Sequence, residues 1–139
     1  MDYANPANIM IIDDDEINNF IVEKLIKKVC KITKITTCTD TTNAIDLLLS
    51  INKESGRLPE FIFLELFSPS MNGWDFLAEY SRLNLDKIIE SRIIILTCSI
   101  FQRDIDLALN HTCVIDYITK PVTTERLKSL FAKSCSALL

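Results

Sequence analysis

The sequence predicts a three-layer α/β sandwich, a parallel five-stranded sheet with helices on both faces. Five short runs rich in β-branched or aromatic residues alternate with longer amphipathic segments along the whole chain. The runs are continuously apolar rather than alternating, as strands buried on both faces should be. Strict alternation of strand and helix then implies parallel strands joined by right-handed crossovers.

The five strand candidates are "NIMII" (8 to 12), "KITTC" (34 to 38), "FIFLEL" (61 to 66), "RIIIL" (92 to 96) and "CVIDYI" (113 to 118). Between the first two, "EINNFIVEKLIKKV" places Ile17, Phe20, Ile21, Leu25 and Val29 close to one helical stripe. "NAIDLLLSI" and "WDFLAEYSRL" repeat that pattern. Thr41 or Thr42 is the expected N-cap of the second helix, and Thr123 or Thr124 that of the last. "ESGRLPE" reads as a loop, because Gly56 and Pro59 both interrupt regular structure. No repeat, linker or low-complexity tract divides residues 1 to 139, so one domain is expected.

Composition removes several function classes. At 139 residues and 48% hydrophobic content, the chain can bury one proper core. A net charge of -4, with no Lys/Arg-rich helix, argues against a nucleic-acid or anionic-membrane surface. Partners are therefore expected among proteins and metal ions. Five cysteines, at 30, 38, 98, 113 and 135, form no CxxC pair, so neither a zinc site nor a disulfide framework is indicated. Reduced, mostly buried thiols are expected. No apolar stretch approaches membrane-spanning length, and a cytosolic location is expected.

In open α/β sheets ligands bind beyond the carboxyl ends of the strands. Those ends carry Asp13, Asp14 and Asp15 after the first strand, Glu65 at the third, Thr97 at the fourth, and Lys120 followed by Pro121 at the fifth. Several carboxylates, a hydroxyl and an ammonium would share one rim. Such an oxygen-rich cluster suits Mg2+, which takes one or two carboxylates, keeps several waters and leaves room for phosphate oxygens. The hydroxyl and ammonium would complete the charge stabilisation that a phosphoryl group needs. Plainer roles exist for each residue. Asp15 and Glu16 read as a helix start, where acids favour the macrodipole. Thr97 would otherwise just close a strand, Tyr117 would be core packing, and His111 reads as a surface residue.

Over nearly its whole length the chain resembles the receiver domain of two-component response regulators. The resemblance rests on "IIDDDEIN" after the first strand, "LELFSPSMNGW" after the third, "ILTCS" at the fourth and "DYITKPV" at the fifth. Each motif alone is weak, but four in order at strand ends are specific. The resemblance implies a flavodoxin-like fold with strand order 2-1-3-4-5. It implies that Asp13 and Asp14 hold Mg2+, with Glu65 and the backbone carbonyl of Phe67 completing the metal set. Glu65 falls on the phosphate-accepting aspartate, Thr97 and Lys120 on the residues that contact the phosphoryl group, and Tyr117 on the aromatic that changes rotamer on activation. It further implies a stand-alone signalling module rather than an enzyme, monomeric or weakly dimeric. Its partner would be a sensor histidine kinase or a downstream protein target, contacted through the fourth and fifth helices and the fifth strand.

One departure matters. Ser68 stands where methionine is common and Cys98 where alanine is common, and both are small enough to be tolerated. Glu65 is one methylene longer than aspartate, which moves its carboxylate by up to ~1.5 Å. A misplacement of about 1 Å can cost on the order of a hundredfold in a positioned reaction. Phosphoryl transfer depends on positioning and charge, so acceptance at Glu65 should be severely impaired. Glu65 then either imitates the phosphorylated state, with one charge where a phosphoaspartate offers roughly two, or disables the switch.

Two other classes compete. Phosphatases of the haloacid dehalogenase type use an aspartate after the first strand in a D-x-D pattern that Asp13 and Asp15 imitate, with Thr97 and Lys120 in matching roles. Ile17 stands where that pattern calls for Thr or Val, and "PSMNGW" goes unexplained. A cofactor-binding flavodoxin-like module is the third reading, but Gly56 and Gly73 are the only glycines and form no phosphate-cradling loop.

Overall fold

A computed structural model of the chain describes residues 6, 8–31, 33–54, 56–68, 71–85 and 91–136. In chain order the elements are β1 (Asn8–Ile12), α1 (Glu16–Val29), β2 (Lys34–Cys38), α2 (Thr41–Lys53), β3 (Phe61–Leu64), α3 (Gly73–Arg82), β4 (Arg92–Thr97), α4 (Gln102–Leu109), β5 (Val114–Thr119) and α5 (Thr124–Ser136). The five strands form one parallel sheet in the order β2-β1-β3-β4-β5, as expected. A short antiparallel ladder, Phe67–Ser68 with Met71–Asn72, bridges β3 to α3.

Successive side chains of each strand feed opposite faces of the sheet, which splits the core in two. Met10, Ile12, Ile62, Leu64, Ile93 and Ile95 pack under α2 and α3, against Leu48, Phe76, Leu77 and Tyr80. Ile9, Ile11, Phe61, Phe63, Ile94 and Leu96 face α1 and α5, against Val22, Ile26, Leu127 and Phe131. Phe61 and Phe131 meet edge to face at 5.1 Å. The central strands β1, β3 and β4 are buried on both sides, which explains why they read as unbroken apolar runs, whereas the edge strands β2 and β5 carry exposed polar residues.

The first helix departs from the expected stripe. Its buried residues are Asn19, Val22 and Ile26, whereas Ile17, Phe20 and Ile21 are 74%, 58% and 50% exposed. Leu25 and Val29 are only partly buried, at the edge of the second core cluster. Apolar residues wrap more than half of this helix, and contact with β1 and α5 selects the 22/26 line over the 17/20/21 line. At α2 the cap is Asp40 rather than either threonine: its carboxylate accepts the Thr42 and Asn43 amides, while Thr41 is the first helical residue. Aspartate competes well for that role because its carboxylate also meets the positive end of the helix dipole. Asp15 caps α1, accepting from Ile17 and Asn18, as its helix-start reading requires. Thr123 accepts the Arg126 amide at the start of α5.

Cys30, Cys38, Cys98 and Cys113 are free thiols. Cys30 and Cys38 are buried and Cys113 partly so, but Cys98 is exposed, because the chain leaves the sheet immediately after Thr97. The Cys135 side chain lies outside the described residues. His111, just past α4, is half-buried. Among the described residues no helix is long and apolar enough to cross a membrane.

The reassigned face of α1 has a measurable consequence. Ile26→Ala should destabilise the fold by about 2–5 kcal/mol, as a large-to-small change in a packed core does. Ile17→Ala should stay within about 0.5 kcal/mol of wild type, the ordinary surface range. Chemical denaturation of the two variants checks this, and equal losses would return Ile17 to the core.

Candidate functional site at the carboxyl edge of the sheet

Parallel pairing in register sets the site. Ile12 of β1 sits opposite Leu64 of β3, so the next residues, Asp13 and Glu65, leave adjacent strands side by side. The Asp13 amide donates to the Cys38 carbonyl and the Glu65 amide to the Ile12 carbonyl, each at 3.0 Å, so the ladder pattern carries past the strand ends. Both residues are buried, Glu65 at 7% exposure. Two carboxylates so placed repel unless a cation lies between them.

Lys120 is that cation. Its Nζ lies 2.8 Å from Asp13 Oδ2 and 3.0 Å from Glu65 Oε1, with its side chain 15% exposed. The Lys120 amide donates to the Thr97 carbonyl at 2.8 Å, which ties the start of the β5–α5 connection to the end of β4. Burial alone would push the Lys120 ammonium toward deprotonation. Hydrogen bonds to Asp13 and Glu65, and the charge of both, outweigh it and hold its pKa above the usual 10.5.

The remaining lone pairs are largely committed. Asp13 Oδ2 also accepts Asn18 Nδ2 at 3.0 Å, and Oδ1 accepts the Asp15 amide at 2.9 Å. The Asp13 carbonyl accepts Asn19 Nδ2 at 2.8 Å. Glu65 Oε2 turns back to the amides of Leu66 and Phe67, at 2.9 and 3.4 Å. The glutamate thus spans two duties, one oxygen on the ammonium and one on its own loop.

That loop is held from behind by α3. Asn72 caps the helix through the Trp74 and Asp75 amides, and the Phe67 and Trp74 rings meet edge to face at 6.1 Å. Gly73 is required by close approach, because a Cβ there would lie 2.3 Å from the Glu65 carbonyl oxygen and 2.7 Å from Leu66 Cα. Those are backbone atoms and cannot swing aside. Pro69 and Ser70 of the "PSMNG" turn lie outside the described residues.

Of the residues named from sequence, the structure brings Asp13, Glu65 and Lys120 into direct contact. Asp14 lies half-buried beside them. Thr97 is buried at the end of β4, but none of the hydrogen bonds around Glu65 and Lys120 involves its hydroxyl. Phe67 is half-exposed on the loop, at the far side of Glu65 from the lysine. Tyr117 packs at the edge of the first core cluster and donates its hydroxyl to the Ser99 carbonyl at 2.9 Å. Burial raises the Tyr117 pKa, the Ser99 bond opposes that, and the negative charges of Asp104 and Glu65 add to the rise. Asn18 escaped the sequence reading. Its only signal was a polar side chain in the first turn of a helix whose N-terminus faces the rim.

The donor chemistry suits a hard divalent cation: every candidate ligand is oxygen, and among the described residues Asp13 Oδ1 takes a single hydrogen bond and so keeps a lone pair. Among the described residues, however, no three Asp, Glu, His or Cys side chains gather as a metal site by themselves. Two carboxylates with a carbonyl and waters are the arrangement Mg2+ ordinarily accepts.

The model of the response regulator receiver domain family matches residues 9–132. The chain belongs to that family. A two-component response regulator from Cytophaga hutchinsonii is 26% identical and superposes with a TM-score of 0.84, covering 95% of this chain and 98% of that one. One from Legionella pneumophila, at 24% identity and TM-score 0.76, shares the fold over 94% of this chain and 98% of its own. By sequence, the two-component response regulator ARR14 of Arabidopsis thaliana is 25% identical over 129 residues, and hybrid signal transduction histidine kinase L of Dictyostelium discoideum 27% identical over 130. Those alignments cover 93% and 91% of this chain but only 31% and 7% of the two relatives. The phosphatase reading gains no support, and Asp15, its second aspartate, is spent on capping α1.

Removing the central cation should be costly. Lys120→Met leaves two buried carboxylates facing each other and is expected to destabilise the fold by about 3–5 kcal/mol. Lys120→Met with Glu65→Gln should recover part of that loss. Because the folded-state pKa of Lys120 is raised, its contribution is complete below the usual lysine value and declines as pH climbs through the raised one. Denaturation curves of wild type and Lys120→Met should therefore differ by a constant amount at neutral and mildly alkaline pH and converge only in strong alkali. Convergence already near neutrality would contradict the bridge.

Proposed function

We propose that this chain is a receiver-type signalling module in which Glu65 replaces phosphorylation as the source of negative charge. It acts through protein contacts with a sensor histidine kinase or a downstream protein target. The observation that carries the reading is the Glu65 Oε1 to Lys120 Nζ contact at 3.0 Å. The glutamate already engages the ammonium that a phosphoryl group would need, and we take the seated Tyr117 rotamer as the signalling one. Exposed Ile100, Phe101, Leu107 and Leu109 around α4, with Ile115 on β5, supply an apolar surface for such contacts. The imitation is partial, since a glutamate brings one charge and two oxygens where a phosphoaspartate brings roughly two and three.

A second reading, an inert scaffold, has its own observation. Glu65 Oε2 faces the Leu66 and Phe67 amides, so only half of the carboxylate addresses the rim. In either case the position is a poor acceptor, because a carboxylate bonded on both oxygens is not free to attack in line.

Asp13, Asp14 and the Phe67 carbonyl would hold Mg2+. When bound, that ion supplies charge neutralisation for phosphoryl oxygens. The chain's own part is to orient Glu65 by Lys120 and the loop amides, and to fix Asp13 by Asn18 and the Asp15 amide. Millimolar Mg2+ should raise the melting temperature of the wild type, and Asp14→Asn should abolish the rise. A melting curve indifferent to Mg2+ would count against this ligand set.

The deciding experiment is incubation with a small phosphodonor and Mg2+, followed by intact mass. Wild type should stay unmodified, whereas Glu65→Asp should gain one phosphoryl group, in a manner abolished by Lys120→Ala. Efficient modification of wild-type Glu65 would overturn the misplacement argument. Failure of both proteins to accept phosphate would favour the scaffold.

A further inference from the structure

Behind the carboxylate pair, the loop leaving β4 is fastened by side chains that the receiver reading does not use. Asp104, in the first turn of α4, is 5% exposed. Its Oδ2 receives the Ser99 hydroxyl at 2.6 Å, the short distance of an O–H donor on an ionised acceptor. Among the described residues its other oxygen has only the exposed Arg103 at 3.9 Å, a contact that contributes little. Ser99 is therefore the strongest partner of a buried charge, and losing that partner is costly.

The same serine has two further duties. Its hydroxyl oxygen accepts the Phe101 amide at 3.4 Å, a local turn bond that leads into α4. Its carbonyl accepts the Tyr117 hydroxyl at 2.9 Å. With its hydroxyl held by Asp104 and its following peptide turned by Phe101, Ser99 has little freedom to rotate that carbonyl away. We propose that Ser99 and Asp104 form a clasp that holds Tyr117 in its seat with no phosphoryl group at the rim. They are positioning residues: neither touches Glu65 or Lys120, and both act through the direction of one carbonyl.

This rests on the preceding section only in taking Tyr117 as the switch aromatic. The clasp itself is independent of whether Glu65 accepts phosphate. It also differs from a charge-held seat, in which Glu65 alone would keep the ring in place.

The test is the Tyr117 ring resonance in the full chain labelled with [13Cζ]tyrosine, assigned by Tyr117→Phe and recorded without phosphodonor. Ser99→Ala and Asp104→Ala should each move it toward its position in the denatured chain, while the core Tyr80 resonance stays in place. Ser99→Thr, which keeps the hydroxyl, should leave it near wild type. If Asp104→Ala disturbs Tyr80, Asp104→Asn replaces it, with a smaller shift in the same direction expected. An unmoved Tyr117 resonance in the Ser99 and Asp104 variants overturns the clasp. So does a shift in Glu65→Gln that the Asp104 variant lacks, which would assign the seat to the rim charge. A wild type that accepts a phosphoryl group would sink the reading of Glu65 and leave this measurement as it stands.

Discussion

The ammonium of Lys120 between Asp13 and Glu65 is the constraint on which the rest of the site depends. Three strands must end level for it to exist. β1 and β3 are neighbours in register, so their next residues are two acids with nowhere to separate. β5 is not adjacent to either, being reached across β4, and its lysine arrives because its amide is bonded to the Thr97 carbonyl. A shift of one residue in any of these ladders would turn a side chain to the other face of the sheet. The apolar runs that set the register are thus also what brings opposite charges within 3.0 Å.

The pair and its cation are stabilised less by mutual attraction than by the neutral hydrogen bonds that meet most of their remaining capacity. Buried ion pairs gain little over apolar replacements when judged on Coulomb energy alone, since desolvation is expensive. Here the cost is offset by neutral donors: the Asp15 amide and Asn18 on Asp13, the Leu66 and Phe67 amides on Glu65. Each comes from a residue one to five positions along the chain. The rim is therefore held by local bonds to each acid and by long-range bonds to one lysine.

This division explains what could be read from the sequence. Strand β1 and helix α1 fall at the residues their patterns mark, because a buried strand or an uninterrupted helix leaves a clear trace, and the edge strand β2 falls at its own through its β-branched residues. Asp13, Glu65 and Lys120 were legible because they stand at the ends of such traces. Which face of α1 packs was not legible, since Ile17, Phe20 and Ile21 are as apolar as Val22 and Ile26 and the choice is made by α5 and the sheet. Asp40 outcompeted two threonines for a cap, a contest among residues of similar propensity. Asn18, Ser99 and Asp104 were silent for another reason. Their roles arise from loop geometry, and a serine five residues before an aspartate has no periodic signature.

The extra methylene of Glu65 is more than a displacement. An acid at this position must reach the ammonium and also share the loop amides that follow it, and one more C–C bond, about 1.5 Å, is added reach toward both. The two groups lie on opposite sides of the carboxylate, one on a side chain from β5 and one on the backbone leading to α3. Bonded to both, Glu65 connects the fifth strand to the loop that Gly73 holds against it, where a Cβ would meet backbone at 2.3 Å. A residue bonded through both oxygens has the character of a strut. The added reach that lets Glu65 bond in both directions thus fixes the shape of this rim.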